Sequence, residues 1–140
     1  MRNPIEVHFE GQVAVKVVIS CGEKILLVRG MGKNEPFDLP GGHLHQDELP
    51  QLAIVREVQE ELGIAITVGD IFYSNQFFHP GPQKQTLMLV YKASVTGDVV
   101  NFDTTELSEV VWVTKEELVH LAVYPVYRDT LTVYFEKQQE

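Results

Sequence analysis

The sequence predicts an α+β fold with a mixed β-sheet, and three observations support that prediction. Runs rich in valine and isoleucine recur between short segments that contain glycine, proline or asparagine, as β-strands do. The earliest runs follow one another closely, as in a hairpin, and only a few segments have apolar residues at helical spacing. Strands that begin as a hairpin and are interrupted by a few helices are typical of the α+β class.

Two strands are predicted near the start of the chain. Residues 12–20 (QVAVKVVIS) and 24–29 (KILLVR) are separated by a short segment with a glycine, which predicts a hairpin. Cys21 follows the first strand, and we expect it to be a buried thiol, because its surroundings in the sequence offer no activating base. Residues 30–36 have the composition of a loop, and a short strand is expected near residues 37–39.

The most regular helical pattern covers about residues 48–62. Asp47 is expected to cap this helix, and Pro50 is tolerated only in a first turn. Gly63 is expected to end the helix in a left-handed conformation. Apolar residues at steps of three, three and four predict the side that packs on the core. These residues are Leu52, Val55, Val58 and Leu62.

The remainder of the chain has the pattern of strands followed by two helices. Strands are predicted over residues 64–78, 85–95 and 109–113, with turns at 79–82 and at Gly97-Asp98 and a loop over 101–108. Thr114 and Glu117 fit a capping box that opens a helix to about residue 121. Apolar and aromatic residues at helical spacing predict a closing helix over 127–137.

Three glutamates, Glu57, Glu60 and Glu61, fall on the last turns of the helix predicted over residues 48–62. Positions three and four apart lie on the same side, so like charges cost this helix about 0.2–0.5 kcal/mol per pair. Arg56 lies beside them, but one guanidinium cannot neutralise three carboxylates. Clustered carboxylates are hard oxygen ligands that suit Mg²⁺ or Mn²⁺, ions that share their other positions with waters and substrate phosphates.

Candidate substrate contacts precede the same helix. Gly41 and Gly42 lack side chains, so their backbone can approach a metal or a phosphate closely. Arg29 and Lys33 flank a glycine-rich loop and are candidates for a phosphate contact, while solvated surface cations are an equally good interpretation.

Aromatic residues and histidines give further candidates. A base could stack on an aromatic ring, although strand aromatics more often belong to a core. The rings considered are Phe37, Tyr73, Phe77 and Phe78. His43 and His45 follow the glycine pair closely, but two histidines in a loop make a metal site only with further ligands nearby.

Residues 42–64 (GHLHQDELPQLAIVREVQEELGI) resemble the Nudix box at all nine of its specified positions. These are Gly42, Glu48, Arg56, Glu57, Val58, Glu60, Glu61, Gly63 and Ile64. Two unspecified positions differ from the usual pattern, since His45 stands where many relatives carry Glu and Asp47 where many carry Gly. The resemblance implies an α/β/α sandwich, a single domain over residues 1–140 and a hydrolase that attacks a phosphoanhydride with water.

The resemblance also implies roles for individual residues. It assigns Glu57, Glu60 and Glu61 to the metal, with the Gly41 carbonyl as an added ligand. Arg56 is expected to hold Glu57 or Glu60 in place, and Glu48 to orient or complete the set. The expected catalytic set is Glu57, Glu60, Arg56 and Glu106, and the expected substrate contacts are Arg29, Gly42, Phe37 and Glu48. Relatives take the general base from the box or from a later loop, which leaves Glu57, Glu106, Asp103 and Glu109 as candidates.

The substrate class and the alternative functions stay open at this point. The expected substrate is a nucleoside diphosphate linked to another group. Pro80, sixteen positions after Ile64 (80 minus 64), resembles the ADP-ribose pyrophosphatases of the family, yet a turn would favour proline there in any case. The compact length is equally similar to relatives that hydrolyse nucleoside triphosphates. The alternative is a nucleotide-sensing module without turnover, and a homodimer is common among relatives.

Composition and charge exclude several classes of protein. A chain of 140 residues is long enough to bury one sizeable core. Its formal charge of 11 minus 20, or −9, argues against binding to nucleic-acid polymers, which a basic face would favour. No apolar run reaches the length of a membrane span, and the first residues lack the apolar core of a secretory signal. We therefore expect a cytoplasmic protein, and the single cysteine fits a reducing compartment.

Overall fold

Residues 6–95 and 101–139, which the computed structural model describes, form a six-stranded mixed β-sheet with helices on both faces. The elements are β1 (Gly11–Cys21), β2 (Lys24–Gly30), β3 (Gly41–His43), α1 (Pro50–Leu62), β4 (Thr67–His79), β5 (Lys84–Ser94), β6 (Leu107–Val113), α2 (Lys115–Leu118) and α3 (Pro125–Gln138). The strand order is β4-β5-β1-β2-β6, and β3 pairs with β1. Because β1 runs parallel to β5 and the other pairs are antiparallel, the predicted α+β class with a mixed sheet is confirmed.

The two faces of the sheet bury separate hydrophobic cores, because successive strand residues point to opposite faces. In β1, Val15 and Val17 pack in the core that contains α1, and Val18 packs in the core that contains α3. The first helix contributes Ala53, Ile54, Val58 and Leu62, and the last contributes Tyr127, Leu131 and Tyr134. The sheet therefore lies between two helical layers, as the resemblance to an α/β/α sandwich implied.

The strands β1 and β2 diverge, and the glycine pair lies between them. They pair only beside their connecting turn. Further along, β3 pairs with β1, and the Val17 N–H donates to the Pro40 carbonyl at 3.1 Å. On the other side, Asp38 and Val28 exchange backbone hydrogen bonds of 2.7 and 2.9 Å. This backbone pairing holds Gly41 and Gly42 inside the sheet, next to α1.

The helix α1 begins later than expected and is not capped by Asp47. It begins at Pro50, and Leu49 precedes it without a side-chain hydrogen bond to the helix. Asp47 instead adopts a left-handed conformation, with φ of 64°, in the turn before the helix. The predicted end is confirmed, because Gly63 has φ of 66° and donates its N–H to the Gln59 carbonyl.

The side of α1 that faces the core also differs from the expectation. Leu52 and Val55 are 60% and 39% exposed, whereas Ile54 and Val58 are fully buried. The buried side includes Glu61, which is only 8% exposed. A helix turns by about 100° per residue, so a side centred on positions 54, 58 and 61 leaves positions 52 and 55 towards solvent. The prediction is confirmed for Val58 and Leu62 and was wrong for Leu52 and Val55, because it did not allow for a buried glutamate.

Other local predictions have mixed outcomes. The hairpins β1-β2 and β4-β5 and the closing helix α3 are confirmed. The capping box is confirmed as well, because Thr114 accepts from the Glu117 N–H and Glu117 accepts from the Thr114 N–H. The helix α2 is shorter than expected and ends at Leu118. The predicted turn at Gly97-Asp98 lies outside the described residues.

Cys21 is exposed, so the expectation of a buried thiol was wrong. The strand β1 continues to Cys21 beside the tip of the hairpin, and this last residue of the strand is exposed to solvent. Within the described ranges, no helix is both long and apolar enough to cross a membrane.

Candidate active site

Arg56 connects Glu48, which lies before α1, with two glutamates of the helix itself. Its Nε and Nη2 donate to the two carboxylate oxygens of Glu48, at 2.7 and 2.9 Å. Its Nη1 donates to Glu57 at 2.8 Å and to Glu60 at 3.5 Å. A further bond of 3.3 Å joins Nη2 to the His43 carbonyl. The planar guanidinium with its fixed fork of donors suits this role, which a lysine ammonium could not fill.

Glu48 is held as an anion by these contacts. The hydrogen bonds from Arg56 lower the pKa of Glu48 to about 2, with a smaller contribution from the His45 N–H at 3.1 Å. The same bond to Glu48 raises the pKa of Arg56 above its usual value. Both groups therefore stay charged throughout the neutral range, and the loop before α1 is tied to the second turn of the helix.

The Glu57 carboxylate lies directly against the Gly42 backbone. A Cβ placed on Gly42 would lie 2.4 Å from the Glu57 carboxyl carbon, which is closer than real side chains come. The Glu57 side chain is 15% exposed and accepts its bond from Arg56 through Oε1. The glycine of the box thus makes room for the carboxylate of the helix.

Glu61 occupies a different environment one turn further along α1. Its Oε1 accepts a bond of 3.0 Å from the Gly41 N–H. Burial raises the pKa of Glu61 to about 7, although the Gly41 N–H and the Lys16 charge act in the opposite direction. Gly41 has φ of 141°, and a Cβ there would lie 2.1 Å from the Val15 carbonyl, so only glycine fits between β1 and Glu61.

The three box glutamates do not form an assembled metal cage. Among the described residues, no group of three or more His, Cys, Asp or Glu side chains lies at metal-binding geometry. Glu57 points to Arg56 and Gly42, Glu61 points to Gly41, and Glu60 is 57% exposed. Like charges favour this separation, because each carboxylate gains more from an N–H donor than from another carboxylate.

The same residues nevertheless fit a hard divalent cation. In the described hydrogen bonds, Glu57 and Glu61 accept through Oε1 only, which leaves Oε2 of each for a further ligand. Carboxylate oxygens beside a backbone that bears no side chain are a donor set that Mg²⁺ accepts. A cation near Glu61 would also offset the unfavourable burial of its charge.

Lys16 and Asp38 are site residues that were not predicted from the sequence. The Lys16 ammonium donates to Asp38 Oδ1 at 3.2 Å and to the Leu39 carbonyl at 3.1 Å, and lies 5.5 Å from the centre of the Tyr127 ring. Its interactions with Asp38 and other anionic groups outweigh burial and raise the Lys16 pKa. A lysine in the middle of the valine-rich strand QVAVKVVIS was the signal that could have revealed this pair.

Arg29 and Phe37 lie together beside the segment that contains Gly41 and Gly42, which we call the glycine segment. The guanidinium of Arg29 is 5.3 Å from the centre of the Phe37 ring and forms an ion pair of 2.6 Å with Glu109. Phe37 is only 7% exposed and belongs to the core beneath α3. Arg29 and Glu109 are therefore paired with each other, and the Arg29 guanidinium covers one face of the Phe37 ring.

The later acids lie on a turn that packs on the end of α1. The Asp103 N–H donates to the Glu61 carbonyl at 2.9 Å, which fixes this turn beside the helix. Hydrogen bonds from Thr105 lower the pKa of Asp103, which makes it a weaker base. Glu106 is exposed on the same turn.

Several aromatic residues meet at a cavity of about 370 Å³ beside the glycine segment. Phe77 and His79 of β4 form one side, Tyr124 and Tyr127 form another, and Asp38 contributes a carboxylate. Of the other candidates, Phe78 is 58% exposed, Tyr73 packs against the core beneath α3, and His43 and His45 are exposed. The Pro80 of the predicted turn also lines this cavity.

Comparison with known proteins gives consistent relatives. The model of the NUDIX domain matches residues 11–134. A MutT-like protein of Streptomyces ambofaciens is 31% identical over 104 residues, which are 73% of this chain and 62% of that protein. A CTP pyrophosphohydrolase of Escherichia coli (strain K12) is 37% identical over 65 residues, 44% of this chain and 48% of that enzyme.

This chain therefore spans less than two thirds of the length of either curated relative. Among solved structures, a MutT protein from Methanosarcina mazei Go1 superposes with a TM-score of 0.78 at 26% identity. That likeness covers 96% of this chain and 99% of the other, so it extends over the sheet and both helical layers.

Proposed function

Because this chain belongs to the Nudix family of hydrolases, we propose that it uses water to split a phosphoanhydride in a nucleoside diphosphate that is linked to another group. The observation that carries the proposal is the pairing of two box glutamates with two glycines. Glu57 lies against Gly42, and Glu61 accepts from the Gly41 N–H. This arrangement brings two carboxylates to a backbone that a diphosphate can approach closely.

The residues of the chain prepare the site in three ways. Arg56 fixes Glu48 and Glu57 relative to each other through hydrogen bonds of 2.7 to 2.9 Å. The Gly41 N–H orients Glu61 from the opposite side. Such preorganisation matters because hydrolysis of a phosphoanhydride depends mainly on positioning the water and neutralising phosphate charge.

We propose Mg²⁺, with Mn²⁺ as a substitute, as the cofactor held by Glu57, Glu60 and Glu61, with the Gly41 carbonyl as a further donor. When bound, the ion would neutralise phosphate charge and lower the pKa of the attacking water. For the general base, Glu57 and Glu106 are the preferred candidates. The pairing of Glu109 with Arg29 and the lowered pKa of Asp103 make those two acids less suitable.

Nucleoside triphosphates are the substrate class that we favour. The relative with 37% identity is named as a CTP pyrophosphohydrolase, and the other curated relative is named as MutT-like. A nucleotide sugar such as ADP-ribose is the second candidate, which the position of Pro80 suggested. The homodimer, the single domain over residues 1–140 and the cytoplasmic location remain predictions.

The deciding experiment measures release of phosphate, pyrophosphate and nucleotide from a substrate panel with Mg²⁺, with Mn²⁺ and with EDTA. The panel contains the common nucleoside triphosphates, ADP-ribose, NADH, nucleotide sugars and dinucleoside polyphosphates. We expect turnover with Mg²⁺ and none with EDTA, and we expect Glu57→Gln to lower kcat by about 100-fold or more. Glu106→Gln tests the second candidate for the general base.

Two results would contradict the proposal. If Glu57→Gln folds normally and keeps full turnover, the assignment of the box carboxylates is wrong. If the protein binds nucleotides across the panel without hydrolysing any of them, the nucleotide-sensing alternative is correct. Asp47→Asn is the matched control, because this exposed carboxylate lies in the turn before α1 and contacts neither glycine of the pair.

A further inference from the structure

The cavity between β4 and α3 combines aromatic walls with one carboxylate. Phe77 and His79 lie on one wall, with ring centres 6.4 Å apart, and Tyr124 and Tyr127 lie on the other. Its volume of about 370 Å³ is within the range of small-molecule sites. Flat apolar walls of this kind suit a planar ring.

Most polar atoms of these walls already have partners. The Tyr124 hydroxyl donates to Glu35, and the Tyr127 ring lies against the Lys16 ammonium, 5.5 Å from its centre. His79 Nδ1 accepts from the Gly81 N–H at 3.2 Å. Asp38 is the one carboxylate among the residues that line this cavity.

Asp38 is held in place as an acceptor. Its Oδ1 accepts from Lys16 at 3.2 Å, and its side chain is 31% exposed, so a ligand can reach it. An ionised carboxylate accepts at about four positions and donates at none. With Lys16 using one of them, about three positions remain for a ligand.

The cavity adjoins the box glutamates. Asp38 precedes Gly41 by three residues, a stretch that spans at most about 11 Å, and a Cβ on Gly41 would lie 3.0 Å from Lys16 Cδ. One nucleotide can therefore place its phosphates at the carboxylates and its base in the cavity.

We propose that Asp38, positioned by Lys16, makes this site selective for nucleotides whose base carries an exocyclic amino group. The inference rests on the proposed function and adds the chemical feature of the substrate that is selected. An amino group such as cytosine N4 donates to a carboxylate, whereas the oxygen at the same position of uracil is an acceptor and repels it. A site built to hydrogen-bond the amino group through a fixed acceptor disfavours the analogue that lacks the donor.

The test compares nucleotide pairs that differ mainly in this group, CTP with UTP and GTP with ITP. In the pair that is hydrolysed faster, we expect kcat/KM for the nucleotide with the amino group to exceed that for its partner by about 10-fold or more. Asp38→Asn should bring that ratio close to one, because an amide can turn either its oxygen or its nitrogen to the base. A purely structural effect would lower both members equally and leave the ratio unchanged.

Asp70→Asn is the matched control, since it makes the same change at an exposed position of β4 and should keep the ratio of the natural protein. Asp38→Asn leaves the Lys16 charge unpaired. If that variant does not fold, the double variant Lys16→Met with Asp38→Asn removes both charges and is compared instead.

Two outcomes overturn the inference. One is a ratio within twofold of unity in the natural protein, and the other is a high ratio that survives the change at Asp38. The proposed function can fail separately, as absence of hydrolysis across the whole panel. In that case, equilibrium binding of CMP against UMP and of GMP against IMP decides the selectivity, with tighter binding of CMP and GMP expected and equal binding contradicting it.

Discussion

Glu48 lies just before α1 and Glu61 lies near its end, and the protein treats the charges of these two glutamates in opposite ways. Glu48 receives two hydrogen bonds from Arg56, and its pKa falls to about 2. Glu61 is buried beside Gly41, and its pKa rises to about 7. The difference teaches that Arg56 neutralises the outer part of the acidic cluster only. The inner part is where an added cation would relieve the largest unfavourable charge.

The largest effect is expected from substitution of Arg56, the donor that Glu48 and Glu57 share. Arg56→Met leaves Glu48 and Glu57 without their common donor. We expect turnover to fall by roughly 100-fold and the free energy of unfolding to fall by about 3 kcal/mol. Steady-state kinetics and urea unfolding measure the two effects. Arg56→Lys restores the charge but not the fork of donors, so full recovery in that variant would contradict the geometric explanation.

The next largest effect concerns Glu61 and the dependence of the protein's stability on pH. A glutamate whose pKa is raised by folding stabilises the protein below its usual pKa of 4.5, and this stability is lost as the pH rises through about 7. Without divalent cations, we expect Glu61 to contribute a loss of roughly 3 kcal/mol between pH 4 and pH 8. Glu61→Gln should remove that part of the pH dependence.

Urea unfolding in EDTA at several pH values measures the difference between the natural protein and Glu61→Gln. With Mg²⁺ added, the natural protein should gain more stability at pH 8 than at pH 5, and the variant should gain less than the natural protein. Equal pH dependence of the two proteins would show that Glu61 is not the titrating group.

A smaller effect is expected where a glycine meets the outer carboxylate. Gly42→Ala places a methyl group where the Glu57 carboxyl now lies, so Glu57 must move. We expect kcat to fall by about 10-fold with little change in stability. Gly30→Ala is the matched control, because a Cβ there meets nothing within 4 Å. Unchanged kinetics in Gly42→Ala would indicate that the position of Glu57 does not matter.

The smallest effect is expected at Gly63, which lies outside the surroundings of both Glu48 and Glu61. Gly63→Ala puts a side chain on a residue with φ of 66°, which costs about 1 kcal/mol. Kinetics measured well below the melting temperature should be unchanged, because Gly63 ends α1 without contacting either carboxylate. A clear loss of turnover in a stable Gly63→Ala protein would mean that the end of the helix tunes Glu61.

Local chemistry made much of the fold predictable from the sequence. Pro50 and Gly63 limit α1 because proline has no N–H to donate and glycine tolerates a left-handed conformation. The hairpins and the capping box of α2 depend on similar short-range rules. The prediction failed for the exposed sides of α1, since the bond from Gly41 to Glu61 joins residues twenty positions apart.

The candidate site was predictable only in part for the same reason. Spacing along one helix indicated Arg56, Glu57 and Glu60, and Arg56 does contact both glutamates. Lys16 lies on β1 and Asp38 lies in the segment before β3, and the insertion of that segment between β1 and β2 brings them together. The spacing of residues within one segment cannot predict a contact between two segments that are distant in the sequence.

The position of the glycine segment between two strands also bears on how the site opens. The amide protons of Val17, Val28 and Asp38 are bonded across that segment, to neighbours on both sides. In deuterated water, these protons should exchange only when the sheet itself separates, at a rate close to that of global unfolding. The backbone beside the carboxylates would then persist as long as the folded molecule, whereas exposed turns exchange within much shorter times.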